Sequence, residues 1–432
     1  MKNTKILRAS ALALVAVLSA CGGSTTEIID WQKVETTYLS ETEIGVKSTV
    51  NAGALDAYTE SNPLKIALVT DSGTLDDHSF NEASWKGVNE FAVKNGGGKI
   101  ADKAVSTGKI HTRYYQPSGD FTTATRLAAM KSAVKDFGAN VLVLPGFLFQ
   151  GAIKEAIADA DFKNVHILAL DCVKEDDNYQ PYEYTENVTS VIYREEQSGF
   201  LAGYGAVKDG YTKLGFVGGM AVPAVVRYGA GYVQGAAKAA EELKVTSPVE
   251  INYYYAGQFA ATPEATTNAK TWYNNGTEVI FACGGAVFNS VTEAAAGKAD
   301  KKWIGVDVNQ HADTSLGEAG TQLLTSAMKN LQFSVEVMLT SYVDNNKTWI
   351  SDYASKVVTV GAASEMCKLP TPEADDDADC WGFKNWTVKE YNTLYASLKD
   401  GSVKVNSNSD NTALKDANFG VNPAYCKVNY IE

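Results

Sequence analysis

Short apolar runs alternate with periodic stretches of helical length from Lys65 onward. In one such stretch, NEASWKGVNEFAVK, Trp85, Val88 and Ala92 fall on one helical face. Strands that alternate with helices predict parallel sheets built from right-handed crossover units, so the pattern indicates an α/β fold. The predicted strands are KIALVT (65–70), HTRYYQ (111–116), NVLVLPG (140–146), VHILALD (165–171), KLGFVGG (213–219), VEINYYYAG (249–257), EVIFACGG (278–285) and WIGVDVN (303–309).

A long segment at about 172–212 separates the first four strands from the last four. It is charged and rich in tyrosine before the helical stretch SGFLAGYGAVKDG. This division favours two similar lobes with a cleft between them.

The stretch DSGTLDDHSFNEASW follows directly on the first strand. Open parallel sheets bind ligands beyond the carboxyl ends of their strands, which is where Asp71 lies. Ser79-x-x-Glu82 has the spacing of a capping box and predicts a helix that begins near Phe80. Phe80 and Asn81 are then presented at the cleft, whereas Asp76 and Asp77 are expected to be turn and capping residues.

Other predicted strands also end in glycines and small polar or aromatic side chains. Gly146 and Phe147 follow the third strand, Phe259 follows the sixth, Gly284 follows the seventh, and Asp307 ends the eighth. Glycines let the backbone approach a ligand closely. These strand-end residues include little positive charge, and together they predict a site for a neutral, flat, hydroxyl-bearing molecule.

The N-terminus has the features of an export signal. MKNTKILR is basic, and the apolar run that follows is too short to span a membrane, so residues 1–20 are excluded from the fold. Leu18-Ser19-Ala20-Cys21 has the form of a bacterial lipobox and predicts lipidation of Cys21, which would hold the protein on the extracytoplasmic face of the cell membrane. Residues 21–62 are polar and without a clear period, and they are expected to form a flexible tether.

Composition and net charge indicate a globular protein that does not bind nucleic acid. The chain of 432 residues is 45% hydrophobic and 21% charged, as is ordinary for a globular protein. Its net charge is −13, or −16 once two Lys and one Arg leave with the signal (−13 − 3). Such a charge argues against a nucleic-acid partner, which requires clustered Lys and Arg.

The cysteines other than Cys21 form no CxxC pair, so no metal site is expected. Cys172 and Cys283 lie in or beside apolar runs and are expected in the core. Cys367 and Cys380 flank an acidic loop where a disulfide is compatible with export, but the odd count, with Cys426, leaves the pairing open.

Several of these segments together resemble the basic membrane protein (BMP) family, which comprises lipobox-bearing substrate-binding lipoproteins of ABC transporters and includes the purine nucleoside receptors. The segments, in order over about residues 65–345, are KIALVTDSGTLDDHSFNEASWKGVNEF, PGF, VGGMAVP, RYGAGYVQGA, ACGG, GVDVNQ and LLTSAMKN. The resemblance implies a two-lobed periplasmic-binding-protein (type I) fold, each lobe a parallel sheet flanked by helices, that closes on a nucleoside. It also implies ABC permease subunits as partners and no cofactor.

The resemblance assigns the lobes approximately. The N-terminal lobe is expected to comprise 63–190 plus about 310–345, and the C-terminal lobe 191–309 plus part of the C-terminal region. Residues 360–432, with the possible disulfide loop, have no counterpart in the resemblance.

The resemblance also implies roles for individual residues. Asp71 and Asn81 would hydrogen-bond the base and Phe80 would stack on it, faced by Phe259 or alternatively by Tyr228. The ribose hydroxyls would be held by Gly284, Asp307 and Lys329. Where the family commonly has an acid after Gly-Phe, this chain has Gln150, whose amide can still bond a hydroxyl.

Other functions compete with nucleoside capture. DSGTLDD faintly resembles the calcium-binding opening of nucleoside hydrolases, but Val69 stands at the leading acidic position and the ligand set is incomplete. The chain has no HExxH, GxSxG or GxxxxGK[ST] motif, so catalysis is not expected. Binding of another small ligand such as a sugar, or a role as a sensor or surface adhesin, also remains open.

Overall fold

The computed structural model describes residues 31–72 and 74–431 of the chain. Its strands are β1 (Leu64–Val69), β2 (Ile100–Ala101), β3 (Ala104–Val105), β4 (Ile110–Tyr115), β5 (Val141–Pro145), β6 (His166–Leu170), β7 (Val188–Tyr193), β8 (Lys213–Gly218), β9 (Val249–Tyr255), β10 (Val279–Cys283), β11 (Lys302–Asp307), β12 (Leu323–Lys329), β13 (Val357–Val360), β14 (Cys367–Lys368) and β15 (Cys426–Tyr430). Its helices are α1 (Phe80–Lys94), α2 (Thr123–Ser132), α3 (Gln150–Ala158), α4 (Glu195–Lys208), α5 (Pro223–Leu243), α6 (Pro263–Asn274), α7 (Phe288–Ala295), α8 (Glu318–Thr321), α9 (Leu331–Asp344), α10 (Val388–Lys399) and α11 (Asn411–Asp416).

Two large sheets define two lobes, which confirms the predicted α/β fold. The first sheet has the order β13-β7-β6-β5-β1-β4, and all of its pairs are parallel. The second has the order β14-β12-β11-β10-β8-β9-β15, and only the pair β12–β14 is antiparallel. Every strand predicted from the apolar runs is present, within a residue or two of its expected bounds.

Each sheet is covered by helices on both faces, as parallel sheets require. In the first lobe, α1 and α9 pack on one face through residues such as Trp85 and Val335, and α3 packs on the other through Ile153. In the second lobe, α5 covers one face and α6 the other, where Trp272 is buried. The strands can therefore be apolar throughout, which is why they appear as continuous runs in the sequence.

The lobes exchange more chain than the sequence indicated. The segment at about 310–345 was assigned to the first lobe, but its strand β12 pairs with β11 in the second sheet, and only α9 returns to pack on α1. Strands β7 and β13 complete the first sheet and had not been predicted. An apolar run such as LLTSAMK specifies a buried strand but not its neighbour, so its lobe is decided by tertiary pairing.

The segment 31–62 was expected to be a flexible tether, and the structure differs over these residues. Val34 is buried against the second lobe, whereas Ile44 and Leu55 are buried in the first. The Thr42 N–H donates to the Thr359 carbonyl at 2.7 Å. These apolar residues are too widely spaced to show a period, but each fills a gap on a lobe, so the segment lies along the folded body. Residues 21–30 of the expected tether lie outside the described part of the chain.

The C-terminal region belongs to the second lobe. Strand β15 adds to the edge of its sheet beside β9. Trp386 packs on α4 at Gly205, where a Cβ would come within 2.3 Å of the indole ring. The carboxylate of Asp209, just after α4, accepts the main-chain N–H groups of Lys384 and Asn385 at 2.7 and 2.5 Å. The region that the resemblance left unmatched therefore completes the hydrophobic core.

The cysteines of the described residues are free and buried. Cys172 and Cys283 lie in the core as predicted, with 0% and 1% of their surface exposed. The disulfide that was considered between Cys367 and Cys380 is not formed. Cys367 instead lies within β14, at the edge of the second sheet, and its side chain packs against the core of the first lobe.

Helices α4 and α5 approach each other unusually closely because glycines line their contact. A Cβ at Gly199 would lie 2.1 Å from the Tyr228 carbonyl oxygen, and one at Gly231 would lie 2.1 Å from that of Glu196. The contact sets the position of Glu195, at the start of α4, relative to Arg227 on α5.

We expect Gly231→Ala to lower the free energy of unfolding by about 1–3 kcal/mol, because the added methyl group meets backbone that cannot move aside. Urea denaturation followed by circular dichroism measures this. Gly320→Ala is the matched control, because the nearest atom to its Cβ is 3.9 Å away, and it should be neutral or slightly stabilising. Equal stability of the two variants would contradict the close approach of α4 and α5.

Candidate functional site

The carboxyl ends of the strands of both lobes meet at a cavity that, together with its opening to solvent, encloses about 710 Å³ of space between atoms. Its walls come from the turns after β1, β5, β6, β9 and β10, from the segment after β8 with the start of α5, and from the ends of β11 and β12. All of the predicted ligand residues except Gln150 line it, namely Asp71, Phe80, Asn81, Phe147, Tyr228, Phe259, Gly284, Asp307 and Lys329. The strand ends recognised in the sequence therefore meet at this cavity.

Gln150 has a structural contact instead. It begins α3 with 2% of its surface exposed, and its Oε1 accepts the Val173 N–H at 2.9 Å. Its amide therefore ties α3 to the segment after β6. Phe147, three residues earlier, begins a short 3₁₀ turn and lines the cavity.

Asp71 lies at one end of the cavity with its carboxylate against the backbone of Gly146. A Cβ at position 146 would come within 2.4 Å of Asp71 Oδ2, so only glycine leaves room for the carboxylate. The Nδ2 of Asn81 lies 3.4 Å from Asp71 Oδ1, and Arg126 Nε donates to the Asp71 carbonyl at 3.2 Å. Asp71 and Asn81 thus form one polar corner.

The capping box predicted for α1 is not formed, because Asp77 caps this helix. Its carboxylate accepts the main-chain N–H groups of Ser79, Asn81 and Glu82 at 2.9–3.1 Å. The Ser79 hydroxyl is thereby released to donate to Asp307 Oδ2 across the cleft at 2.6 Å. The expected capping role of Asp77 is confirmed, with three N–H groups satisfied by one side chain.

Aromatic rings line the cavity from opposite lobes. Phe80 is the first residue of α1, and the Lys329 Nζ lies 4.5 Å from the centroid of its ring. Phe259 follows β9 and lies against Gly219 and Gly284, where a Cβ would come within 2.6 and 3.1 Å of the ring. These glycines are what allow a phenylalanine to reach the cavity from the second lobe.

Tyr228, the alternative partner for Phe80, is held differently. It is 2% exposed on α5, and its hydroxyl donates to Asp307 Oδ1 at 3.4 Å. Its ring packs edge-on against Phe281, with the centroids 6.0 Å apart. Phe259, which is only half-buried, is therefore the better candidate to face Phe80.

Lys329 is the centre of a buried charge network. Its Nζ lies 2.5 Å from Asp171 Oδ2, 3.5 Å from Glu195 Oε1 and 3.7 Å from Asp307 Oδ1. Burial acts to lower the pKa of Lys329, but the three carboxylates outweigh it and raise the pKa above its ordinary value. Lys329 is therefore a permanent positive charge between the lobes.

The carboxylates around Lys329 differ in their surroundings. Burial raises the pKa of Asp171, and the charge of Lys329 offsets only part of that effect. Burial acts in the same direction on Glu195, but Arg227, whose Nε donates to it at 2.6 Å, brings the pKa of Glu195 below its usual value. The network thus holds Glu195 ionised.

Sequence reasoning missed Asp171, Ser79, Glu195 and Arg227. Asp171 ends the run VHILALD and could have been found by the rule that selected Asp71 and Asp307. Ser79 had been assigned to the helix cap. Glu195 and Arg227 lie near helix starts in the sequence, where charged residues are common and carry no distinctive signal.

Two negative findings apply to the described residues. Within 31–72 and 74–431, no three His, Cys, Asp or Glu side chains gather as a metal site would require. None of the helices in the same ranges combines the length and apolar character needed to cross a bilayer.

Solved structures share the fold of this chain. A solute-binding protein of an ABC transporter system from Aeropyrum pernix K1 matches with a TM-score of 0.58 and 19% identity, over 82% of this chain and 90% of that one. A second, from Conexibacter woesei DSM 14684, matches with a TM-score of 0.56 and 17% identity, over 80% and 99%. The chain thus has the two-lobed fold of the periplasmic solute-binding proteins.

Among proteins of that fold, the family of this chain can be stated. The sequence model of the Bmp family, described as "ABC transporter substrate-binding protein PnrA-like", matches residues 64–377. The chain therefore belongs to the Bmp family. The match extends past the resemblance noted from the sequence, to the acidic loop that ends near Cys380.

Similar curated proteins agree with this assignment. The "ABC transporter nucleoside-binding protein BmpA" of Lactococcus lactis subsp. cremoris is 32% identical over 57% of this chain, and the match spans 64% of that protein's length. "Basic membrane protein B" of Borreliella burgdorferi is 27% identical over 72% of this chain and 82% of that protein. The first of these relatives is a nucleoside-binding protein by name.

We expect Asp77→Asn to become more stable relative to the wild type as the pH rises. Burial raises the pKa of Asp77 to about 6, above the value of about 4 in an unfolded chain. The folded protein then keeps this proton to higher pH than the unfolded chain does, and the stability that Asp77 contributes is lost as the pH rises through that window. The neutral amide removes this dependence.

Denaturation of both proteins at pH 4.5 and pH 7 measures the effect. The difference in unfolding free energy, variant minus wild type, should increase by about 2 kcal/mol. Circular dichroism at each pH is the control that both proteins start from the same fold. A difference that is constant or that decreases with pH would contradict the buried, raised-pKa carboxyl.

Proposed function

We propose that this chain is the lipid-anchored receptor of an ABC importer and that it captures a purine nucleoside between its lobes. One observation carries the proposal: Phe80 and Phe259, from opposite lobes, wall a single cavity whose rim bears fixed hydrogen-bonding side chains. A purine is a flat heterocycle with two apolar faces and a polar edge. Stacking of a base on an aromatic ring contributes about 1–3 kcal/mol.

The polar corner at Asp71 and Asn81 suits the edge of the base. Asn81 Nδ2 is engaged by Asp77 at 3.0 Å, whereas its Oδ1 is buried and has no hydrogen-bond partner among the described residues. A base N–H group can supply the missing donor. A ligand without it leaves a buried acceptor unpaired at a cost of about 1–3 kcal/mol, which gives selectivity.

The charge of the cavity favours an uncharged ligand. Four carboxylates line it against the one ammonium of Lys329, and they belong to Asp71, Asp77, Asp171 and Asp307. A phosphate ester would meet this excess of negative charge at close range. The nucleoside is therefore the better ligand than its monophosphate.

The acidic residues after β1 fit a receptor that binds its ligand without reaction better than they fit a hydrolase. The carboxylate of Asp76 is paired with Lys103 at 2.6 and 2.8 Å, and that of Asp77 caps α1. A hydrolase that uses a metal to activate water needs such oxygens as ligands. Here they are occupied by protein donors, which supports a receptor that releases its ligand unchanged to a permease.

Wild type and Phe80→Ala should be compared by titration calorimetry with adenosine, guanosine, inosine, cytidine, ribose and guanosine monophosphate. We expect the purine nucleosides to bind best, and Phe80→Ala to weaken them about 5- to 150-fold through lost stacking. Phe137→Ala removes a ring from the first lobe away from the cavity and is the control. Absence of nucleoside binding by the wild type would overturn the function, whereas an unchanged affinity in Phe80→Ala would overturn the stacking role alone.

The lipid anchor rests on the motif Leu18-Ser19-Ala20-Cys21, which lies outside the described residues. In cells that process lipoproteins, Cys21→Ala should move the protein from the detergent phase to the aqueous phase of a phase-partition assay, because no thioether can form. Ser24→Ala, just beyond the motif, is the control and should stay in the detergent phase. Detergent partition of Cys21→Ala equal to that of the wild type would contradict the anchor.

A further inference from the structure

The roles assigned so far leave one carboxylate in the cavity without a function. Asp171 follows β6 in the first lobe, lines the cavity and is 9% exposed. Its backbone has φ of +60°, a left-handed conformation that is costly for most residues but tolerated by Asp and Asn. The Asp171 N–H donates to the Val191 carbonyl at 2.8 Å, which holds the residue in place.

Asp171 and Asp307 occupy equivalent places in the two lobes. The first sheet contains the order β6-β5-β1-β4, and the second contains β11-β10-β8-β9, so that β6 corresponds to β11. Asp171 comes directly after β6, and Asp307 ends β11 with φ of +65°. Both carboxylates contact Lys329, from opposite sides of the cleft.

The two carboxylates differ in what remains available to a ligand. The oxygens of Asp307 are engaged by the Ser79 hydroxyl at 2.6 Å and the Tyr228 hydroxyl at 3.4 Å. Asp171 Oδ2 accepts from Lys329, but its Oδ1 is buried with no hydrogen-bond partner among the described residues. A buried acceptor of this kind costs stability unless something donates to it.

The position of Asp171 indicates which part of the ligand supplies the donor. Strand β5 lies between β1 and β6, so Asp171 is two strand spacings, about 9–10 Å, from the corner at Asp71. With the base edge at that corner, the far end of the ligand is its sugar. The sugar of a ribonucleoside carries vicinal hydroxyls, each of which can donate one hydrogen bond.

We propose that Asp171 determines specificity for the sugar by accepting a hydrogen bond at Oδ1 from a ring hydroxyl of the bound ribonucleoside. This proposal rests on the proposed nucleoside function and assigns a residue to it that neither the motifs nor the similar proteins indicate. A ligand that lacks the hydroxyl leaves Oδ1 unpaired beside the buried ammonium. The site then selects ribonucleosides over the corresponding deoxynucleosides.

The test is a double-mutant cycle between protein and ligand. Dissociation constants of inosine, 2′-deoxyinosine and 3′-deoxyinosine are measured by calorimetry for the wild type, Asp171→Asn and Asp171→Ala. The wild type should bind inosine about 10- to 100-fold more tightly than one of the deoxynucleosides, as expected when a missing hydroxyl leaves a buried acceptor unpaired. In Asp171→Ala that preference should fall to within about threefold, and Asp171→Asn should give an intermediate value.

Asn tolerates the left-handed backbone, so Asp171→Asn keeps the test decisive if Asp171→Ala does not fold. Asp76→Asn, which removes an exposed carboxylate that does not line the cavity, is the matched control and should retain the wild-type preference. Equal weakening of all three nucleosides by Asp171→Asn would show a purely structural role through Lys329 and overturn the proposal. A wild type that binds inosine and both deoxynucleosides alike would also overturn it, while leaving the nucleoside function intact.

Discussion

One buried ammonium holds the site together. Lys329 lies at the end of β12, where the chain leaves the second lobe, and it contacts Asp171 of the first lobe and Glu195 and Asp307 of the second. Loss of one partner from such a group leaves an uncompensated buried charge and typically costs about 3–5 kcal/mol. The relative position of the lobes, and with it the shape of the cavity, therefore depends on carboxylates from both sides remaining close to one nitrogen.

The charge network and the apolar packing reinforce each other. Glycines at the contact of α4 and α5 allow a close approach that brings Glu195 to Arg227, and the resulting pair leaves Glu195 ionised beside Lys329. The N-terminal segment and the C-terminal region add to this frame from outside, because Val34 and Trp386 fill gaps over the second lobe. Rigid surroundings of this kind fix hydrogen-bonding groups before a ligand arrives, which lowers the entropic cost of binding.

Much of the site could be predicted because the ends of the strands can be recognised in the sequence. Asp71 and Asp307 were found at the ends of apolar runs and Phe80 at the predicted start of the helix that follows the first run, and all three line the cavity. The misassignments arose where a residue's role depends on a distant partner. Gln150 bonds the segment after β6 at Val173, and Ser79 bonds across the cleft to Asp307, 228 residues away, instead of capping its own helix.

The sequence by itself determined the alternation of strands and helices, the α/β class and the positions of the strand ends, because hydrophobic periodicity is a local property set by which face of each element is buried. The tertiary structure decided which strands are neighbours, to which lobe β12 belongs, and that Asp171 meets Lys329 across 158 residues of chain. Hydrogen-bond pairing between strands and pairing of buried charges are non-local. The sequence of an apolar run or of a single acid therefore does not indicate which strand or charged group it will pair with. Only the folded lobes decide that.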